Sequence, residues 1–97
     1  MITAVDAISN ESRPALARGT RLSTDQQTGE PLLLFPEGVV HLSDTAHGIL
    51  EHCDGQATLG TILERLAAQF DAEPDVLRAD VLECLSQLHG RKLVVFR

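Results

Sequence analysis

Six side chains in this sequence could hold a metal ion or carry out thiol chemistry: His41, His47, His52, His89, Cys53 and Cys84. His47, His52 and Cys53 lie close together. On a helix, however, positions five apart are turned by about 140° from one another, unlike the i, i+4 pair that shares a ligand. Solvated helix histidines account for them better than a metal site. Both cysteines fall on apolar helix faces, where a thiol behaves as a small buried hydrophobe. Nothing else in the chain indicates a disulfide-forming compartment. No nucleophile–base constellation stands out, and no glycine-rich loop precedes a helix in the way that phosphate binding requires. Ser43-Asp44 reverses the Asp-Ser order at which small acidic carrier proteins attach their arm, and Asp-Ser occurs nowhere in the chain. The expectation is a protein with no catalytic residues, no metal and no cofactor.

The bulk properties narrow the class further. Ninety-seven residues with 43% hydrophobic content make one domain with a single core. Three Phe and no Trp or Tyr leave that core to Leu, Val, Ile and Ala. A net charge of −6 sets the overall field against nucleic acid and anionic membranes. No run is long enough to span a bilayer, and the start lacks a signal-peptide pattern, so the expected location is the cytoplasm.

The elements that must position any site centre on Pro31–Gly55, PLLLFPEGVVHLSDTAHGILEHCDG. Leu32–Phe35 and Val39–Leu42 read as strands joined by a type I turn at Pro36-Glu37-Gly38, with Gly38 placed for a positive φ at a bulged exit. Ser43 caps a helix in which Ala46, Ile49, Leu50 and Cys53 form one stripe, and Gly55 supplies the stop. Ala15–Ser23 reads as an earlier strand of the same meander, with Leu16 and Leu22 toward the core. Thr58 opens a second helix with Leu59, Ile62, Leu63, Leu66, Ala67 and Phe70 on one face. Pro74 opens a third, striped by Leu77, Val81, Cys84, Leu85 and Leu88 and ended by Gly90. Lys92–Phe96 is a short strand or strap. Residues 1–14 read as a flexible arm, and residues 15–97 as the domain.

The predicted fold is α+β: a small three-stranded antiparallel sheet followed by three helices, βββααα. Alternation sends Leu32 and Leu34 to one sheet face and Leu33 and Phe35 to the other. Three helices cover one face only, so the second is exposed or covered by another chain, which permits a homodimer. Val39–Leu42 lies at a sheet edge, where free N–H and C=O groups can accept an added peptide strand. Three helices beside a small sheet also suggest a winged helix. The third helix has Arg78 alone in its first turns against Asp75, Asp80 and Glu83, so DNA reading is disfavoured.

Taken in order, RGTRL (Arg18–Leu22), LLLFPEGVVHLSDTAHGIL (Leu32–Leu50), CDG (Cys53–Gly55) and DVLECLSQL (Asp80–Leu88) resemble the PqqD family of pyrroloquinoline quinone (PQQ) biosynthesis. The likeness runs from about Pro14 to Val95. It implies a winged-helix-like fold of three strands and three helices. It also implies a non-catalytic peptide chaperone, a recognition element for ribosomally made, modified peptides (RiPPs). Such a protein binds the precursor peptide PqqA and presents it to the radical SAM enzyme PqqE. Carried over to this chain, the family groove between third strand and third helix puts Val39, Val40, His41 and Leu42 on one wall. Arg78, Leu82 and Leu85 form the other, Leu82 because it lies off the 77-81-84-88 line. Arg18 and Arg21, around Gly19, either stabilise the sheet or help dock the enzyme. The alternative is a winged-helix regulatory or oligomerisation domain that binds protein or DNA.

Overall fold

The structure is a computed structural model and describes residues 8–97. Its strands are β1 (Pro14–Leu16), β2 (Arg21–Thr24), β3 (Pro31–Phe35), β4 (Gly38–His41) and β5 (Val94–Phe96). Its helices are α1 (Asp44–Leu50), α2 (Leu59–Phe70) and α3 (Pro74–Gly90), between β4 and β5. The α+β class and the sequence of a three-stranded antiparallel sheet followed by three helices hold, with β2-β3-β4 as the sheet.

The expected first strand is in fact two. The chain turns at Ala17–Thr20, where Thr20 N–H donates to Ala17 C=O (3.0 Å) and Gly19 adopts φ 82°. A Cβ at Gly19 would lie 3.3 Å from Pro36 Cγ, so the turn nests against the β3–β4 hairpin. β2 continues into the meander, while β1 pairs antiparallel with β5 in a separate two-stranded ribbon, Leu16 opposite Val94. Arg13 and Arg97 extend this ribbon by exchanging backbone hydrogen bonds of 2.9 Å. The terminal run is therefore a strand.

Residues 8–14, read from the sequence as part of the arm, lie against the body, and residues 1–7 fall outside the described residues. Ile8 is buried in the core. The carbonyls of Ser12 and Asn10 accept from Leu59 and Gly60 N–H (2.7 and 3.0 Å). Thr58 Oγ1 accepts from Thr61 N–H (3.3 Å) and Thr58 C=O from Ile62 N–H (2.9 Å). Three N–H groups that the start of α2 leaves without an intrahelical partner, those of Leu59, Gly60 and Thr61, are thereby satisfied, and Ile62 begins the helical ladder.

α1 begins as read, with Ser43 Oγ accepting from Ala46 N–H at 3.1 Å, but it ends at Leu50, well before Gly55. Asp54 and Gly55 instead tie the following loop to β1. Asp54 bridges Ala15, and Gly55 N–H donates to Pro14 C=O at φ 77°. Asp54 Oδ1 accepts from Ala57 and Gln56 N–H, and these bonds hold its carboxyl below the usual range. Gly38 differs too: it faces Phe35 across a two-residue loop and is not among the residues with positive φ.

α3 runs through Gly90. Lys92 takes the left-handed position (φ 64°), with Leu93 N–H bonded to Leu88 C=O and Lys92 N–H to His89 C=O. This is a Schellman motif closed by the apolar pair Leu88 and Leu93. α2 ends similarly on Asp71 at φ 51°, with Ala72 N–H bonded to Ala67 C=O (3.0 Å). A non-glycine side chain is strained there, and a carboxylate opposes the negative end of the helix dipole. Asp71→Gly is expected to stabilise the fold by roughly 0.5–1 kcal/mol, raising Tm by about 4 °C. Thermal melts of the two proteins check this.

The core is aliphatic, as composition requires: Leu33, Leu59, Ile62, Leu66, Leu85 and Val94 are fully buried. On the inner sheet face Leu33 stands between Leu22 and Val40. The outer face carries Leu32, Leu34 and Val39, none of them in the core, with Val39 44% exposed. Phe70 reaches α1, where a Cβ on buried Gly48 would meet its ring at 3.1 Å.

Both cysteines are free. Cys53 is buried with Sγ 3.4 Å from Ile49 C=O, and burial first, then Cys84 and Asp54, push its thiol up to about 12. The unfolded chain therefore releases this proton near pH 9, before the folded one does. The Cys53 contribution is intact below pH 9 and declines above it, by about 1.4 kcal/mol per pH unit, until the folded thiol titrates. Denaturant midpoints measured between pH 8 and 11 for the wild type and Cys53→Ala should show this excess slope in the wild type only.

Candidate functional site

β4 is an edge strand of the β2-β3-β4 sheet. Its register places Gly38, Val39, Val40 and His41 opposite Phe35, Leu34, Leu33 and Leu32. Leu42 N–H donates to Pro31 C=O at 3.0 Å, one step beyond. Hydrogen-bonded and non-bonded pairs alternate in an antiparallel ladder. Counting back from Leu42, Val40 and Gly38 bond to β3, and Val39 and His41 turn their N–H and C=O groups to the open edge. An extended peptide can pair with those groups.

Beside this edge runs a groove with α3 as its second wall. One hollow of about 250 Å³ lies between Val40, His41 and Leu42 on one side and Cys84, Gln87, Leu88 and Arg91 on the other. A second, about 260 Å³, continues it past Ser43 and Ala46 toward Asp80 and Glu83. Cys84 and Gln87 line both. The wall is mixed: Val40, Leu42, Ala46 and Cys84 are half-buried and apolar, and Gln87 is exposed and polar, while His41, opposite Leu32, shares the outer sheet face with Val39. Cys84 thus differs from the core position expected of it. Its thiol is raised by burial and then by Glu83, which leaves it protonated and unreactive near neutral pH.

The groove contains three of the four strand residues named from the sequence, Val40, His41 and Leu42. Val39 is adjacent, with its side chain on the outer sheet face opposite Leu34. The helix residues named from the sequence lie outside these hollows. Leu85 is fully buried in the core. Arg78 points to Asn10, to which it donates a hydrogen bond, and lines a different hollow with Gly60, Leu63 and Glu64 of α2. Leu82 comes one turn after Arg78 and packs against the core, about 160° round the helix from Cys84. α3 has two flanks beside its buried stripe, one toward α2 and one toward β4. The apolar pattern marks the stripe without saying which flank meets which neighbour. The groove residues that sequence reasoning missed are Asp80, Glu83, Cys84, Gln87, Leu88 and Arg91. Their spacing, 80-83-84-87-88-91, is itself helical and would have defined the β4 flank had the strand been placed first.

The histidines have local roles. His47 Nδ1 lies 2.9 Å from Glu51 Oε1, one turn on. His89 Nδ1 lies 3.0 Å from Val94 C=O, and its ring meets Phe96 edge-on at 5.1 Å. Among the described residues no three His, Cys, Asp or Glu side chains converge as metal ligands.

Known proteins share this sequence pattern and fold. Residues 30–94 match the family model described as Coenzyme PQQ synthesis protein D (PqqD). The chain is similar to the PqqA binding protein of Xanthomonas axonopodis pv. citri, 40% identical over 90 residues that cover 93% of this chain and 98% of that one. The corresponding protein of Xanthomonas campestris pv. campestris is 39% identical with the same coverage. In structure the chain is similar to the PqqD truncation of Methylobacterium extorquens PqqCD, solved in solution and described as a stand-alone RiPP recognition element. That match has a TM-score of 0.80 and 33% identity, and covers 94% of this chain and 97% of that one. The crystal structure of PqqD from Xanthomonas campestris matches with a TM-score of 0.55 at 41% identity, covering 89% and 96%.

Proposed function

The chain belongs to the PqqD family, and from that premise we propose that it is a non-catalytic chaperone that binds the precursor peptide PqqA along the groove between β4 and α3. The observation that carries the reading is the open edge of β4, where Val39 and His41 aim backbone donors and acceptors beside a groove wide enough for alternate side chains. The relatives named as PqqA binding proteins support the choice of client. A strand added to β4 gains register from backbone bonds and selectivity from the groove. Presentation of PqqA to the radical SAM enzyme PqqE extends the same reading, with residues 15–97 as the recognition domain and the cytoplasm as its place of work. The outer sheet face around Leu32, Leu34 and Val39 is the surface on which a second copy of the chain would pack, and sedimentation over a range of concentrations tests that pairing. The acidic residues along α3 argue against the DNA-binding alternative.

Calorimetry against synthetic PqqA, with a scrambled peptide as control, tests the proposal. The expected result is saturable binding of PqqA alone. Gln87→Trp, which fills the groove from an exposed position, should weaken it at least tenfold. Arg78→Ala, on the far flank, should leave it within twofold. No heat from either peptide at a monomeric concentration would overturn the reading. Adding the chain to PqqE and PqqA should raise turnover, and the chain alone should turn over nothing.

A further inference from the structure

The groove is electrically polar along its length. At the Ser43 end its α3 wall carries Asp80 and Glu83. At the Gly38 end Arg91 lies in the wall and also opens a third hollow, of about 380 Å³, where Arg18 and Lys92 join it beside Phe35. Arg91 stands over the Phe35 ring, with Cζ 6.0 Å from its centroid. Three of the chain's eight Lys and Arg residues thus converge on one end of the groove, in a protein of net charge −6, with Glu37 as the one carboxylate among them. Among the described residues the single close ion pair is His47–Glu51, so no described residue forms a salt bridge with the cations at one end or the carboxylates at the other. The position of Arg91 and Lys92 at the end of α3 suits the helix dipole. That does not account for Arg18, which comes from the β1–β2 turn.

We propose, resting on the peptide-binding reading above, that the groove selects a peptide by charge order: a carboxylate side chain at the Gly38 end and a cationic one at the Ser43 end. The two walls agree on the separation. From Asp80 to Arg91 is eleven helical residues, or about 16 Å. From Gly38 to Ser43 is five extended residues, or about 17 Å. Side chains alternate along a strand, so both charges face α3 only when an even number of positions, about four or six, separates them. Such a peptide meets an unlike charge at each end, whereas one of reversed order meets a like charge twice.

Calorimetric titration of PqqA into the wild type, R18E/R91E and D80K/E83K tests this, with circular dichroism confirming that each variant folds. The neutral pairs R18Q/R91Q and D80N/E83Q provide a second set should a reversal unfold the chain. Each reversal is expected to weaken binding at least fivefold, and each neutral pair by about half that factor. The inference is overturned, with the peptide-binding reading intact, if the wild type binds and neither end changes Kd by more than twofold. It is also overturned if D80K/E83K strengthens binding, because the groove then favours a uniformly acidic ligand. Absence of binding to the wild type itself overturns both.

Discussion

Leu33→Ala is expected to lower the unfolding free energy by about 3 kcal/mol, a large share of the roughly 5–10 kcal/mol that holds a domain of this size together. Leu33 is fully buried at the centre of the middle strand, with Leu22 and Val40 as its cross-strand neighbours. Its loss leaves a cavity that flanking strands fixed by backbone bonds cannot close. The effect reaches the site as well, because Val40 in the groove wall rests on this side chain. Urea unfolding measures it: the midpoint should fall with the slope unchanged. Val76→Ala, at a position 66% exposed, should cost less than about 0.5 kcal/mol. A cost below 1 kcal/mol for Leu33→Ala would mean that the sheet is not anchored through this residue.

The second large effect is on binding. His41→Pro removes an N–H that, by the register of β4, points to the open edge. Proline is tolerated on edge strands where its missing donor is not used by the sheet, so the fold should melt within a few degrees of the wild type. Peptide affinity should fall at least about tenfold, since one backbone bond is lost and the ring obstructs the incoming strand. Val40→Pro is the informative contrast. The Val40 N–H bonds inward to β3, so that substitution should damage stability first. If His41→Pro binds PqqA as well as the wild type, the peptide does not add to β4.

Much of this arrangement was legible from residue order because it depends on near neighbours in the chain. Ser43 and Thr58 cap the helices they precede, Pro74 starts α3, and Leu59, Ile62, Leu63 and Leu66 turn inward together. The opposite orientation of Leu32 and Leu33 follows from strand alternation alone. What escaped was non-local. The pairing of β1 with β5 joins residues some eighty positions apart, and no short pattern in Ala15–Ser23 reveals that its first half belongs to another ribbon. Gly90 is the last residue of α3 as read, although the left-handed residue that closes the cap is Lys92, two positions on. The candidate site divides in the same way. Its strand wall follows from the edge position of Val39–Leu42. Its helix wall depends on how α3 is rotated against two neighbours, which only packing decides. For that reason Arg78 and Leu82 were expected in a wall from which they point away, Cys84 was read as a core residue only, and Gln87 was not singled out.

In the proposed mode of binding a peptide strand adds to the free edge of β4. Amide hydrogen exchange at single-residue resolution, with and without saturating PqqA, reads this out residue by residue. Protection of the Val39 and His41 amides should rise at least tenfold on binding, while Val40, already bonded to β3, changes little. Binding that leaves Val39 and His41 unprotected, with new protection around Arg78 and Leu82 or across the outer sheet face, would contradict the account.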